Sequence, residues 1–314
     1  MPDQQSNQMW MMVSDIKFSP DGKLFAAAVN NLGADPITGH LRLWETATGK
    51  LLHIFAGHTD YVLRLAFSPF GEHVASGSYD KSVRLWNIHT GQHVATYQAH
   101  EGRVYSIAFS PDGRFIASGH DYTTIRLWNV GVGDERCLKT PILKHESDTS
   151  PIDSIAFSPD GQVLATSNDN IVRFWNVISG KVSSYLKLPG IGHVQSVDFS
   201  PNGKILAFGF AGSIQLANPF TLGTSFKKSE STIYSVKFSP DGSTISSGHG
   251  DRTARVWDVA TGTVKKTFMG HENAVYSAAY SPDGKLLATA SHDQTARIWD
   301  IESGKEVMRI SARS

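Results

Sequence analysis

The chain has 314 residues, and its 29 Lys and Arg side chains balance 29 Asp and Glu side chains, so the formal net charge is zero and the pI is about 7.2. This balance excludes a global electrostatic attraction to nucleic acid or to anionic lipid. The single cysteine, Cys137, excludes an internal disulfide framework. The chain also lacks an apolar run long enough for a membrane span or a secretory signal, which predicts a cytoplasmic or nuclear protein.

One kind of unit recurs along the chain, and residues 104–128 show it most clearly: VYSIAFSPDGRFIASGHDYTTIRLW. Apolar and polar side chains alternate before and after a Pro-Asp-Gly turn, and a third alternating run ends at Trp128. Alternation with a period of two predicts β-strands and excludes a helix. The unit therefore predicts three antiparallel strands, which are too few to bury their faces alone.

The turn glycine of this unit returns at intervals of about 40 to 50 residues, which is a repeat spacing typical of stacked or circular arrays. These glycines are Gly22, Gly71, Gly113, Gly161, Gly203, Gly242 and Gly284. A tryptophan ends the third strand in every unit but the fifth, where Ala217 stands instead. The tryptophans are Trp44, Trp86, Trp128, Trp175, Trp257 and Trp299.

Repeats of this length with a terminal Trp-Asp or Trp-Asn resemble the WD-repeat family across nearly the whole chain. The resemblance implies an all-β fold, a closed seven-bladed β-propeller with four antiparallel strands per blade. Residues 1–314 would then form a single domain, with residues 1–11 as a flexible N-terminal extension. The segment after Trp299, GKEVMRIS, has the length and alternation of a fourth strand, so we expect it to complete the last blade.

The first unit has two irregular features. Its loop between the second and third strands, residues 30–40, is longer than its counterparts and rich in Gly and Pro, so it is either a functional loop or a tolerated insertion. Before the first strand, Met9, Trp10, Met11 and Met12 form an apolar cluster. These side chains either cover an edge of the propeller or dock a partner.

The resemblance also implies buried hydrogen-bonded chains that join a His, a Ser or Thr, an Asp and a Trp within one blade. The second and seventh units match this pattern, at His58, Ser76, Asp80 and Trp86, and at His271, Thr289, Asp293 and Trp299. His58, Ser76 and Asp80 also suggest a hydrolytic triad. We favour the structural role, because an analogous set recurs in the seventh unit and each hydroxyl would be buried between sheets.

A second candidate site lies where the first strands begin, near the central channel. Tyr105, Tyr234 and Tyr276 occupy equivalent positions there, and Asp153 stands at the same position in the fourth unit. Tyr61, Tyr79, Arg103, Tyr122, His249 and His292 are expected on the surrounding loops. These side chains either pack between blades or form a rim of the residue types that anchor protein interfaces.

The sequence therefore predicts a non-catalytic scaffold that docks partner proteins or peptides on the face around the channel mouth. The alternative is an enzyme or small-ligand binder that uses Tyr, Asp and Arg side chains at the mouth. We expect no cofactor and no metal, because no ligands cluster at zinc spacing. His120 and His249, which share a turn position, would lie too far apart around the ring. We expect a monomer that joins a complex with other proteins.

Overall fold

The computed structural model describes residues 11–33, 37–98, 102–131, 150–189, 192–218, 226 and 231–313, and the backbone of residues 143–144 and 222–225. These residues form strands and turns, and none of them form a helix long and apolar enough to cross a membrane. The strands make seven sheets of four strands each, and every pairing is antiparallel. The predicted seven-bladed β-propeller is therefore confirmed.

Within each sheet the strands lie in chain order from the centre outwards. The inner strands are β1 (Met11–Phe18), β5 (Val62–Phe67), β9 (Val104–Phe109), β13 (Ser154–Phe157), β17 (Val197–Phe199), β21 (Ile233–Phe238) and β25 (Val275–Tyr280). The second strands are β2 (Leu24–Asn31), β6 (His73–Ser78), β10 (Phe115–His120), β14 (Val163–Asn168), β18 (Leu206–Phe210), β22 (Thr244–His249) and β26 (Leu286–Ser291).

The two outer strands of each blade complete the sheet. The third strands are β3 (Thr38–Glu45), β7 (Ser82–Asn87), β11 (Thr124–Asn129), β15 (Ile171–Asn176), β19 (Ser213–Ala217), β23 (Ala254–Asp258) and β27 (Thr295–Asp300). The outermost strands are β4 (Leu51–Phe55), β8 (His93–Gln98), β12 (Leu143–Lys144), β16 (Lys181–Lys187), β20 (Leu222–Ser225), β24 (Val264–Phe268) and β28 (Glu306–Ser311).

The inner strands of neighbouring blades lie against each other all the way round, and β1 contacts both β5 and β25. The ring closes there without exchange of a strand, because β28 supplies the fourth strand of blade seven, as predicted. Side chains of blades one and seven form one buried cluster at this junction, with Val13 and Ile16 against Ala288 and Ile298. Hydrophobic burial therefore holds the closing seam together.

A Ser-Pro-X-Gly turn joins each inner strand to the second strand, and X is Asp in five blades, Phe70 in blade two and Asn202 in blade five. In blade one the Ser19 hydroxyl donates to Asp21 Oδ1 (2.6 Å), and Asp21 Oδ1 also accepts the N–H of Lys23 (3.1 Å). Gly22 takes a left-handed conformation at φ +72°, which suits a residue without a Cβ atom. The first residues of all seven inner strands lie on one face of the propeller. We call this face the mouth face.

Two expectations about individual segments are wrong. The expectation of a long loop over residues 30–40 is wrong, because β2 runs on to Asn31 and β3 already starts at Thr38. The extra residues lengthen a hairpin, and the buried Asn30 amide bonds both the N–H (2.7 Å) and the carbonyl (3.0 Å) of Val62 in the next blade. Met11 belongs to β1 and not to an extension.

Of the N-terminal apolar cluster, Met11 packs on the core between blades one and seven, while Met9 and Trp10 lie outside the described residues. Blade five keeps four strands although Ala217 replaces its tryptophan. Phe208 of β18 is fully buried there and takes the place of the hydroxyl residue of other blades. Loss of the tryptophan therefore leaves the four-stranded sheet of blade five intact.

Candidate functional site

The buried polar chain of blade two joins four side chains in series. The Trp86 indole N–H donates to Ser76 Oγ (2.9 Å), Ser76 Oγ lies 2.7 Å from His58 Nε2, and His58 Nδ1 lies 2.7 Å from Asp80 Oδ2. Since the serine oxygen already accepts from Trp86, its own proton points to Nε2 and the imidazole proton lies on Nδ1. Every polar group in the chain then has a partner.

Blade seven repeats this geometry with a threonine. Trp299 donates to Thr289 Oγ1 (2.8 Å), which lies 2.7 Å from His271 Nε2, and His271 Nδ1 lies 2.7 Å from Asp293 Oδ2. Burial would raise the pKa of Asp293, but hydrogen bonds from His271 and Thr295 hold it well below its ordinary value. Asp293 therefore stays ionised.

In blades three and six the histidine of the polar chain comes from the second strand and not from the loop before the first strand. His120 Nε2 lies 2.7 Å from Ser118 Oγ, which accepts from Trp128 (2.7 Å). His249 Nε2 lies 2.7 Å from Ser247 Oγ in the same way. Each histidine stands two residues after its serine on the same strand, so its ring reaches the hydroxyl directly.

The expectation that His249 lies on a loop at the mouth is therefore wrong, because this residue is 0% exposed at the end of β22. Burial lowers the pKa of His120 and of His249 to about 4, so both rings are neutral at pH 7. Among the residues that the structure describes, no three His, Cys, Asp or Glu side chains are arranged to hold a metal ion.

These chains cannot act as hydrolytic triads towards an external substrate. Ser76 is 0% exposed and His58 is 4% exposed. The hydroxyl is already shared between an indole and an imidazole inside the blade, so a substrate carbonyl has no route to it. The arrangement supports stability and orients the turns of the mouth face.

The mouth itself carries two groups of aromatic side chains. The first consists of Tyr61, Tyr79 and Tyr105, whose rings follow each other at centroid distances of 5.7 and 5.2 Å. The guanidinium of Arg103 lies 5.0 Å from the ring centre of Tyr79. Burial and the neighbouring Tyr79 raise the pKa of Tyr105 to about 12. The Arg103 cation is thus held against the neutral phenol rings of this tyrosine cluster of blades two and three.

The second group lies on blades six and seven. The rings of Tyr234 and Tyr276 meet edge to face at 5.0 Å, and Tyr276 contacts His292 at 6.0 Å. The Asn273 amide donates to His292 Nδ1 (3.1 Å), which fixes the imidazole beside the tyrosines. All the tyrosines of both groups are partly buried and partly open, so they pack between blades and also form the rim.

Asp153 faces the mouth from blade four. Its Oδ2 atom is buried and has no hydrogen-bond partner among the described residues. Burial raises the pKa of this carboxyl to about 6, and the charge of Asp169 adds to the increase. Asp169 is held by Ser150 (2.6 Å) and by His193 Nδ1 (3.2 Å), so blade four gives the rim an acidic sector.

Tyr122 is 65% exposed and lies in the turn between β10 and β11, outside both aromatic groups. Tyr122 and Thr123 both have positive φ, 57° and 59°. The corresponding turns of other blades also hold left-handed non-glycine residues, so this backbone belongs to the repeat; these residues are Lys81, Asp169, Ala211, Arg252 and Gln294. The Thr123 hydroxyl donates to the Tyr122 carbonyl (2.7 Å) and helps to hold the turn.

Sequence reasoning placed Tyr79 and His292 only in the surroundings of the site, whereas their rings complete the two aromatic groups. It missed Arg64 entirely. This side chain lines a cavity of about 60 Å³ inside the channel, directly below the rim. The signal was present in the aligned inner strands, because Arg64 stands where five of the seven have serine.

Comparison with curated proteins finds local similarity to several repeat proteins. A stretch of 84 residues is 36% identical to the zebrafish WD repeat and SOCS box-containing protein 1, covering 26% of this chain and 18% of that protein. A stretch of 71 residues is 37% identical to the human intraflagellar transport protein 122 homolog, covering 23% and 5%. The Arabidopsis protein ROOT INITIATION DEFECTIVE 3 is 39% identical over 74 residues, covering 22% and 17%. The matched stretches therefore span less than a fifth of each relative.

The WD domain, G-beta repeat family matches five segments, residues 49–87, 91–129, 135–176, 220–258 and 262–300. Each segment starts before the outermost strand of one blade or within the connection to it, and ends with the tryptophan strand of the next blade. The longest unmatched parts are residues 1–48, which hold the first three strands of blade one, and residues 177–219, which hold β16 and the first three strands of blade five, where the tryptophan is missing. Because these matches cover more than half of a seven-bladed propeller, the chain belongs to the WD-repeat family.

Proposed function

We propose that this protein is a non-catalytic scaffold that docks a partner protein or peptide on the mouth face of its propeller. WD-repeat propellers are generally protein-interaction scaffolds, and the rim supplies the residue types that contribute most to binding energy. The observation that carries the proposal is the pairing of the Tyr61, Tyr79 and Tyr105 cluster with Arg103, which offers a rigid, partly open aromatic surface. Such a surface orders few side chains on binding and so loses little entropy.

Paired substitutions on the two faces test the proposal. Arg103→Ala and Tyr122→Ala should each weaken partner capture at least tenfold, which corresponds to about 1.4 kcal/mol. Both side chains lie on the mouth face, and neither fills the core, so the melting temperature should change little.

The control replaces Lys50 and Lys305, in turns between third and fourth strands, and Lys181, the first residue of β16, all on the opposite face. Capture measured by quantitative mass spectrometry after affinity purification should be intact in this variant. Capture that is lost only with the lysine variant would place the interface on the opposite face.

A second candidate function rests on Asp153, whose unpartnered oxygen and raised pKa suit a group that binds or transfers a proton in a small-ligand site. Asp153→Asn should abolish such an activity and leave partner capture intact. The small-ligand function would be excluded if Asp153→Asn lost partner capture and the wild type carried no bound metabolite.

A further inference from the structure

The inner strands of neighbouring blades are joined by a recurrent hydrogen bond, which we call the seam bond. In six of the seven inner strands a polar side chain at one aligned position reaches the next blade, and in five of these six it bonds the backbone. Ser154 Oγ accepts the N–H of Val197 (3.1 Å), and Ser235 Oγ accepts the N–H of Ala278 (3.1 Å). The aligned residues are Asp15, Arg64, Ser106, Ser154, Ser196, Ser235 and Ser277.

Asp15 makes the seam bonds on both sides of the closing blade. Its Oδ2 accepts the N–H of Leu65 (3.1 Å) in blade two, and its Oδ1 accepts the hydroxyl of Ser277 (2.7 Å) in blade seven. The same Oδ1 also takes Lys17 Nζ at 2.6 Å. Asp15 is therefore saturated with donors and has no free oxygen for a ligand.

Arg64 interrupts the series. A guanidinium has only donors, so it cannot accept the N–H of Ile107, which is the equivalent group in blade three. Among the described residues its side chain makes one hydrogen bond, from Nη1 to the carbonyl of Leu63 at 3.1 Å. Within the described part of the chain no carboxylate of any residue, Asp153 included, lies within ion-pair distance of Arg64.

Arg64 lies between the channel interior and the rim. Its charge acts on Asp15 inside the channel and on Tyr79 and Asp153 at the mouth. Arg64, Ile107, Tyr234 and further inner-strand residues line the cavity of about 60 Å³. One water needs about 10–15 Å³ of such cavity volume, so the cavity has room for a few waters or for one carboxylate group.

The other charged side chains that line this cavity, Asp15, Lys17 and Lys237, are already paired. Lys17 bonds Asp15, and Lys237 bonds Asp198 at 2.6 Å. Arg64 thus adds a positive charge that no side chain of the described chain compensates by contact. A hydrogen-bond acceptor in the cavity would contact the Arg64 guanidinium. It would lie at the junction of blades two and three, where Arg64 stands in place of the usual side-chain acceptor.

We infer that the channel below the rim receives the carboxylate of an aspartate or glutamate side chain from the docked partner, and that Arg64 binds it. The inference rests on the proposed function and identifies the chemistry of the partner at that site. Arg–carboxylate pairs combine charge with two parallel hydrogen bonds, which gives both affinity and direction. The two aromatic groups would hold the peptide on either side of the entering side chain.

The test selects peptides from a random phage library on the wild type and on Arg64→Ser in parallel. Serine occupies this position in five other blades, so Arg64→Ser should fold, restore a seam bond and melt at or above the wild-type temperature. Arg64→Gln, which keeps a long side chain without the charge, serves as a second variant. Arg114→Ser removes an exposed arginine from the opposite face and is the matched control.

The wild type should enrich peptides with Asp or Glu at one fixed position, and neither Arg64 variant should do so. A synthetic peptide measured by fluorescence anisotropy should bind the wild type and Arg114→Ser equally. It should bind Arg64→Ser at least tenfold more weakly, and exchange of its acidic residue for the amide should cause the same loss on the wild type only. Equal binding of the acid and amide peptides would overturn the inference.

Two further outcomes are distinguishable. If the library yields binders that depend on Tyr79 and Tyr276 but not on Arg64, the docking proposal stands and the carboxylate inference fails. If no binder depends on the mouth, both fail. If sodium acetate alone raises the melting temperature of the wild type and not of Arg64→Ser, while no acidic peptide is enriched, the cavity is a small-anion site and the inference is overturned.

Discussion

Ser76→Ala removes the central hydroxyl of the polar chain in blade two. The substitution takes away the acceptor of the Trp86 indole N–H (2.9 Å) and the partner of His58 Nε2 (2.7 Å). Both groups stay buried, since Trp86 is 3% exposed, so neither can turn to water. An unsatisfied buried polar group costs about 1 to 3 kcal/mol. With two such groups we expect a loss of about 2 to 4 kcal/mol of unfolding free energy.

Urea unfolding followed by tryptophan fluorescence measures this loss. Asp80→Ala removes the far end of the same chain, so its effect and that of Ser76→Ala should be coupled by at least about 0.5 kcal/mol in a double-mutant cycle. Ser179→Ala, in an exposed turn of blade four, should stay within about 0.5 kcal/mol of the wild type. A Ser76→Ala protein as stable as this control, or a fully additive double mutant, would refute the chain as a stabilising unit.

Three further expectations concern pH and closure. Stability should be fullest above pH 6.5 and fall towards pH 4, because His120 and His249 have pKa values of about 4 in the fold and an ordinary value of 6.5 when unfolded; a flat profile of urea midpoints would contradict this. Asp153 acts in the opposite direction, since its pKa of about 6 lies above the ordinary 3.8 and its protonation stabilises the fold as pH decreases through 6. Asp153→Asn should therefore stabilise the protein at pH 8, by up to about 3 kcal/mol, and much less at pH 4. Deletion of residues 305–314 should bare the edge of β27 and cause aggregation seen by light scattering, whereas deletion of residues 1–7 should not; equal tolerance of both would refute the closure by β28.

The fold could be predicted from the sequence because its signals repeat. Turn glycines such as Gly22 must take a left-handed backbone, and alternation fixes which side of each strand is buried, so seven copies of one pattern agree. The hairpin of blade one was misjudged because Gly and Pro suggested a loop, whereas its ends pair in register and Asn30 is anchored to Val62 of the next blade. That anchor is a tertiary contact which local sequence does not show.

The site could be predicted only in part, for the same reason. Equivalent positions in aligned strands put Tyr234 and Tyr276 side by side, but the contact of Tyr79 with Arg103 and Tyr105 depends on how neighbouring blades pack. The role of His249 was missed because a histidine two residues from a serine looks like a turn residue. Its ring reaches that serine only because β22 ends in a buried position.

Site-specific photocrosslinking tests the docking face most directly. A benzoylphenylalanine placed at Tyr122 reports on the mouth face, and one placed at Ile178, which is 91% exposed in the turn after β15, reports on the opposite face. We predict a discrete partner adduct from position 122 that disappears when Arg103→Ala is added, and no adduct of that partner from position 178. An adduct from position 178 alone, unaffected by Arg103→Ala, would contradict docking at the channel mouth.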